Sequence, residues 1–270
     1  MLPYVLILVV LAGVGLYLWW PHYRLKQALA RPFPQDWRRF LQRNLPSYKR
    51  LPEHLRFELQ RLIKQFLHEK EFVGCAGLEI SDEIRLTIAG EACLLLLNRP
   101  STVYQKLRYI YVYPSGFIAP HKEIDDNGLV REVRHGRSGE SWSNGKVILS
   151  WDDVERGVRD ITDGDNVVLH EFAHQLDQES GITNGAPLLS RRSGYQRWAE
   201  VLSEEYRDLV DDARFGRESL LDYYGATNPA EFFAVATEVF YEQPGKMAEQ
   251  HPELFQQLRQ YYAVDPREWL

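Results

Sequence analysis

Cysteine is scarce in this chain: Cys75 and Cys93 are the only two among 270 residues. They have no metal-ligand spacing and are too few for a disulfide framework, so a cysteine zinc site and a cross-linked scaffold are both excluded. Positive charge is not in excess either. Lys and Arg number 32 against 38 Asp and Glu, a formal charge of -6. There is no dense basic patch to grip a phosphate backbone, which sets direct nucleic-acid binding aside. The sequence has no internal repeat and no low-complexity tract, so a solenoid or a disordered array does not arise. The stretch RHGRSGESWSNG, residues 134–145, is rich in Gly and Ser but lacks the spacing and Lys-Ser/Thr ending of a phosphate loop. It reads as a flexible loop near a cleft.

What is present describes a globular protein with room for a sizeable core, 44% apolar and 26% charged. The first twenty residues, MLPYVLILVVLAGVGLYLWW, carry no charge and are long enough to cross a bilayer as a helix. No basic residue precedes them, and Trp19, Trp20 and Pro21 stand where a signal peptidase needs small residues, so an anchor is expected rather than a cleaved signal. Arg24, Lys26, Arg31, Arg38 and Arg39 follow the run, which places the remainder on the cytoplasmic side of the inner membrane. The expected plan is a transmembrane anchor over 1–21, a Pro-containing linker over 22–34 and a main domain over 35–268.

Within that domain, LPEHLRFELQRLIKQFLHEK spaces Leu55, Leu59, Leu62, Ile63, Phe66 and Leu67 at helical intervals, and Ser81-Asp82-Glu83 caps a second helix that runs toward Pro100. Between Leu107 and Trp151 the runs YIYVYP, GLVREV and KVILSW predict a small sheet. KVILSW suits an exposed edge open to an extended peptide and an internal strand equally well. From Asn166 onward RWAEVLSEEYRDLV, PAEFFAVATEVFYEQ and PELFQQLRQYYAV return to helical spacing. The fold class is α+β.

Chemistry concentrates in NVVLHEFAHQLDQ, residues 166–178. Four residues along a helix bring His170 and His174 to one face, with Asp177, while Val168, Phe172 and Leu176 fall opposite and anchor the helix. Glu171 sits beside the pair, placed to activate a water without being a ligand. This is the H-E-x-x-H pattern of zinc hydrolases. The pentapeptide alone fits a metal site and an ordinary histidine-bearing helix equally, and a catalytic site requires a third ligand. TNPAEFFAVATEVFYEQ offers one: Glu231, Glu238 and Glu242 lie on a stripe away from Phe232, Phe233, Val239 and Phe240. The same features also fit a capping box from Asn228 to Glu231 and a solvated acidic face. Tyr223 and Tyr224 lie just upstream, where a phenol can serve an oxyanion or simply pack. His22, His54, His68, His121, His135 and His251 have no partner at ligand spacing.

Taken together, FLHEKEFVGCAGLEISDEIRLTIAGEACLLLL, IYVYPSGF, GESWSNGKVILSWDDV, NVVLHEFAHQLDQ and LDYYGATNPAEFFAVATEVFYEQP resemble the Mlc titration factor A family of bacterial zinc-dependent peptidases over roughly residues 35–267. The resemblance implies a mainly helical, zincin-like fold of the gluzincin type, similar to the catalytic domain of anthrax lethal factor, with one zinc ion per chain. It assigns His170, His174 and Glu231 as ligands, Glu171 as general base, Tyr224 as transition-state stabiliser and Asp177 to orienting a ligand histidine. It implies a peptide or protein substrate, aminopeptidase activity and a transcriptional regulator, Mlc, as partner. The apolar N-terminal run departs from a freely diffusing titration role.

Overall fold

The computed structural model describes residues 2–99, 103–124, 130–137, 139–142, 145–189 and 191–269; for 2–3, 5–9 and 117–142 it describes the backbone path alone. Helix α1 (Leu2–Ala30) leads into α2 (Gln35–Asn44), α3 (Pro46–Arg50) and α4 (Glu53–Glu69). The periodic leucines of α4 do what their spacing predicts: Leu55, Leu59, Leu62, Ile63 and Phe66 are all buried. A four-residue strand, β1 (Glu71–Gly74), follows and then α5 (Asp82–Leu94), whose cap Ser81 accepts a hydrogen bond from the Ile84 amide at 3.2 Å.

Strands β2 (Tyr109–Tyr113), β3 (Phe117–Ile124), β4 (Val130–Arg137), β5 (Gly139–Trp142) and β6 (Lys146–Ser150) supply the sheet region. In β2, Ile110 and Val112 are buried while the tyrosines between them are partly exposed, the alternation of a half-covered strand. The main sheet has the order β1-β2-β6-β5, with β1, β2 and β6 parallel and β5 antiparallel to β6. β3 and β4 form a separate antiparallel pair. One open alternative in this region is decided and one reading is corrected. β6, the KVILSW run, is bonded on both sides and so is internal; the edge is β5. The stretch over 134–145, read as a loop, contributes the end of β4 and all of β5, because neighbouring strands supply partners for its backbone; residues 138, 143 and 144 lie outside the described ones.

The rest is helical: α6 (Trp151–Arg159), α7 (Val167–Asp177), α8 (Gly194–Phe215), α9 (Pro229–Glu242), α10 (Pro244–Gln250) and α11 (Pro252–Tyr262). The architecture is therefore α+β, mainly helical with a small mixed sheet. An aromatic seam joins the parts. Phe172 of α7 meets Tyr104 at 4.8 Å and Phe66 of α4 at 5.7 Å between ring centroids, and Phe233 of α9 meets Trp198 of α8 at 5.9 Å.

The N-terminus departs from expectation. α1 is one helix through Ala30, with Pro21 inside it, so most of the stretch expected as a linker, 22–30, is helical. The expected span over 1–21 falls partly on side chains outside the described ones. Among the described residues no helix is long and apolar enough to cross a membrane, so the expected transmembrane anchor is unsupported.

Candidate metal centre

Two helices deliver the site. α7 is started by Asn166, whose Oδ1 accepts from the amides of Val168 and Leu169, both at 3.1 Å. Val168, Phe172 and Leu176 are fully buried on the core side, which turns His170 and His174 outward onto the facing helix. α9 is started by Asn228, whose Oδ1 accepts from Ala230 and Glu231 at 2.9 and 3.1 Å. The Asn228 cap is thus real, and it fixes Glu231 in the first turn, pointing at α7. The glutamate stripe is not a solvated face: Glu238 and Glu242 are 5% and 8% exposed.

The Glu231 Oε2 lies 3.0 Å from His170 Nε2 and 3.2 Å from His174 Nε2. Ligand atoms of all three residues fall within 4.8 Å of one another, one such group of His, Cys, Asp or Glu among the described residues. Zinc bonds of about 2.0 Å at tetrahedral angles require ligand atoms roughly 3.3 Å apart, close to the two separations seen. Two imidazoles and a carboxylate are also the donor set of that cation. The residues present fit the group.

His170 is braced from behind. Its Nδ1 donates to Glu238 Oε1 at 2.7 Å, which presents Nε2 toward Glu231. Burial opposes charge on His170, yet the Glu238 carboxylate and the hydrogen bonds to Glu231 and Glu238 hold its pKa well above the usual imidazole value. Burial likewise acts to raise Glu231, but hydrogen bonds from His170 and His174 and their charges prevail and keep it below the usual carboxylate range. Glu238 was visible in the sequence only as part of a stripe. Its seven-residue offset from Glu231 was the available signal, since two turns on, it meets the same neighbouring helix.

Behind Glu238 lies a hub. The Asn166 amide N donates to Glu238 Oε2 at 2.6 Å, and its side-chain Nδ2 donates to Glu242 Oε1 at 3.0 Å and Glu91 Oε2 at 3.4 Å. Burial pushes Glu91 up to about 7, with the Asn166 hydrogen bond partly offsetting it. Burial also drives Glu242 upward, to about 9. Both Glu242 oxygens accept N–H donors, from Asn166 and from Gly164 at 3.1 Å, and the bond from Asn166 partly offsets the effect of burial.

The other assigned residues sit around this core. Glu171 is 4% exposed and adjoins His170. Tyr224, on a short 3-10 turn held by Asp222, places its ring centroid 5.8 Å from that of His170 and is 48% exposed. Asp177 does not bond a ligand histidine; its Oδ2 accepts from the Gly185 amide at 2.7 Å. Among the described residues its Oδ1 and the His174 Nδ1 are each buried without a hydrogen-bond partner. Among the remaining histidines, His251 pairs with Glu205 at 2.7 Å, and the side chains of His121 and His135 lie outside the described residues.

Paired imidazoles from one helix and a carboxylate from a second, closed around a point beside a buried glutamate, define a site of the metallopeptidase type. The chain belongs to the family described as glucose-regulated metallo-peptidase M90, whose model matches residues 19–263. It is similar to an uncharacterized protein of Synechocystis, 41% identical over 98% of each chain. It is also similar to the Mlc titration factor A of Cronobacter sakazakii, 32% identical over 92% of each chain, and to that of Klebsiella pneumoniae, 32% identical over 82% of this chain and 84% of the relative.

Proposed function

We propose that this chain is a zinc-dependent peptidase of the aminopeptidase kind. The observation that carries the reading is the convergence of His170 Nε2 and His174 Nε2 on one Glu231 oxygen, at 3.0 and 3.2 Å. His170, His174 and Glu231 would hold the ion. When bound, zinc supplies Lewis acidity, polarising a scissile carbonyl and acidifying a water. Glu171 takes the proton of the attacking water and passes it to the departing amine. Tyr224 directs its phenol toward the carbonyl oxygen as negative charge develops there. Glu238 keeps the His170 ring turned so that its Nε2 faces the ion.

The decisive comparison is Glu171→Gln against His174→Ala. The first is expected to retain metal and lose hydrolysis by a factor of about 1,000 or more, the second to lose both. A Glu171→Gln protein hydrolysing at the wild-type rate would overturn the assignment. Peptides with free and blocked N-termini test the exopeptidase reading, since an aminopeptidase rejects the blocked ones.

The printed name of the relatives, Mlc titration factor A, supports a second reading in which the chain captures a transcriptional regulator. Capture that survives both His174→Ala and Glu171→Gln favours it. For location, the proposal is the cytoplasmic face of the inner membrane. Its support is the charge asymmetry around residues 1–21 together with the exposure of Val10, Leu11, Leu16, Leu18, Trp19 and Trp20 on α1; recovery of the full chain in the soluble fraction after alkaline extraction would remove it.

A further inference from the structure

A cavity of about 760 Å³, lined by none of His170, His174 and Glu231, lies between the segment following α5, the C-terminal end of α7, the start of α8 and the end of α11. Its described walls carry three cationic side chains, Arg99, Lys106 and Arg191, against one acid, Glu179. That local excess of positive charge occurs in a protein whose formal charge is -6. Arg99 is the unusual member. Its guanidinium lies over the Tyr261 ring, 4.2 Å from the centroid, close enough to Tyr261 Oη to interact with it, and its buried Nη1 makes no hydrogen bond of good geometry among the described residues. It makes no close ion pair among the described residues, and Glu179 on the same wall favours its charge only from a distance. Lys106, by contrast, is held by the carbonyls of Gln178 and Glu179 at 2.9 and 3.5 Å, which fixes its ammonium at the rim.

A largely buried guanidinium whose donors are incompletely matched is costly unless a counter-charge completes it. Arg presents a planar fork suited to carboxylate or phosphate, and the stacking on Tyr261 holds the plane of that fork. The volume is that of a small-molecule site and too small for a macromolecule. We propose that this cavity binds a small organic anion through an oxyanion group, carboxylate or phosphate, received by Arg99 with Lys106 and Arg191 at the rim. Gln175, which follows the ligand His174 in α7, forms part of the same wall, so the cavity and the metal centre share one helix.

The test uses the full chain stripped of metal with EDTA and then exchanged into chelator-free buffer, so that neither a metal ion nor the chelator competes for the probe. Thermal midpoints and titration calorimetry are recorded with inorganic phosphate and with succinate, each against chloride at equal ionic strength. Saturable stabilisation by either probe is expected, and whichever binds identifies the oxyanion. Arg99→Gln is expected to weaken that binding by about tenfold, the loss of one charge-assisted contact. Should Arg99→Gln not fold, the exposed Arg191→Gln decides, with an expected weakening of about threefold for a rim charge. Absence of saturation by both probes overturns the proposal, as does wild-type affinity in the folded variants.

Discussion

His170 is the most tightly determined side chain in the site, engaged by Glu238 at Nδ1 and facing Glu231 from Nε2. Glu238→Ala is therefore expected to lower metal affinity by about 10- to 100-fold, read by competition with a chromophoric chelator; unchanged affinity would show that Glu238 merely fills space. The raised pKa of His170 adds a pH dependence. A ligand imidazole must be neutral, so metal uptake displaces a proton and affinity rises as pH rises. Glu91 makes a separate prediction about stability. Its carboxyl is raised from 4.5 to about 7, so between those values the folded chain holds a proton that the unfolded chain has released. Stability from this group consequently falls as pH rises through that window. Glu91→Gln is expected to raise the thermal midpoint more at pH 8 than at pH 5, and equal effects at both would place the ionisation elsewhere. At this scale the sequence was informative where partners share a helix. His170 and His174 were legible from a four-residue step. The bond from His170 to Glu238, 68 positions apart, was not, because only the crossing of α7 and α9 creates it.

The helices were legible for the same reason that they fold: the leucines of α4 and the phenylalanines of α9 repeat at the period that buries one face. β1 escaped notice because four residues, EFVG, carry too little alternation to register, and its strand character comes from pairing with β2. β5 was masked by its Gly/Ser composition and is specified by β6 beside it. The N-cap of α7 is the element-scale feature with the widest reach, since Asn166 joins that helix to α9 and α5. Asn166→Ala is expected to cost about 1–2 kcal/mol for the cap, and somewhat more for the buried carboxylates it leaves less well matched. Chemical denaturation measures the combined loss. Metal affinity is expected to change little, because Glu238 is held by the Asn166 backbone amide, which alanine keeps. Gly185 performs a comparable task between elements. Its φ of +75° and the 2.4 Å approach that a Cβ would make to the Pro229 carbonyl leave no room for a side chain. Gly185→Ala is expected to be destabilising and to disturb the start of α9, where Glu231 sits.

Across the whole molecule, an ion bound only by the folded chain stabilises it by mass action, about 2.7 kcal/mol at a concentration one hundred times its dissociation constant. Added zinc is expected to raise the thermal midpoint of the wild type and leave His174→Ala unmoved; a wild type indifferent to zinc and to chelator would count against the centre. The three candidate ligands come from just two helices, separated in the chain by the exposed run 181–184 and by α8. Limited proteolysis in that run would leave α7 on one fragment and α9 on the other. Zinc would then act as a rivet between two polypeptides, and the nicked pair would come apart at lower denaturant once a chelator removed it.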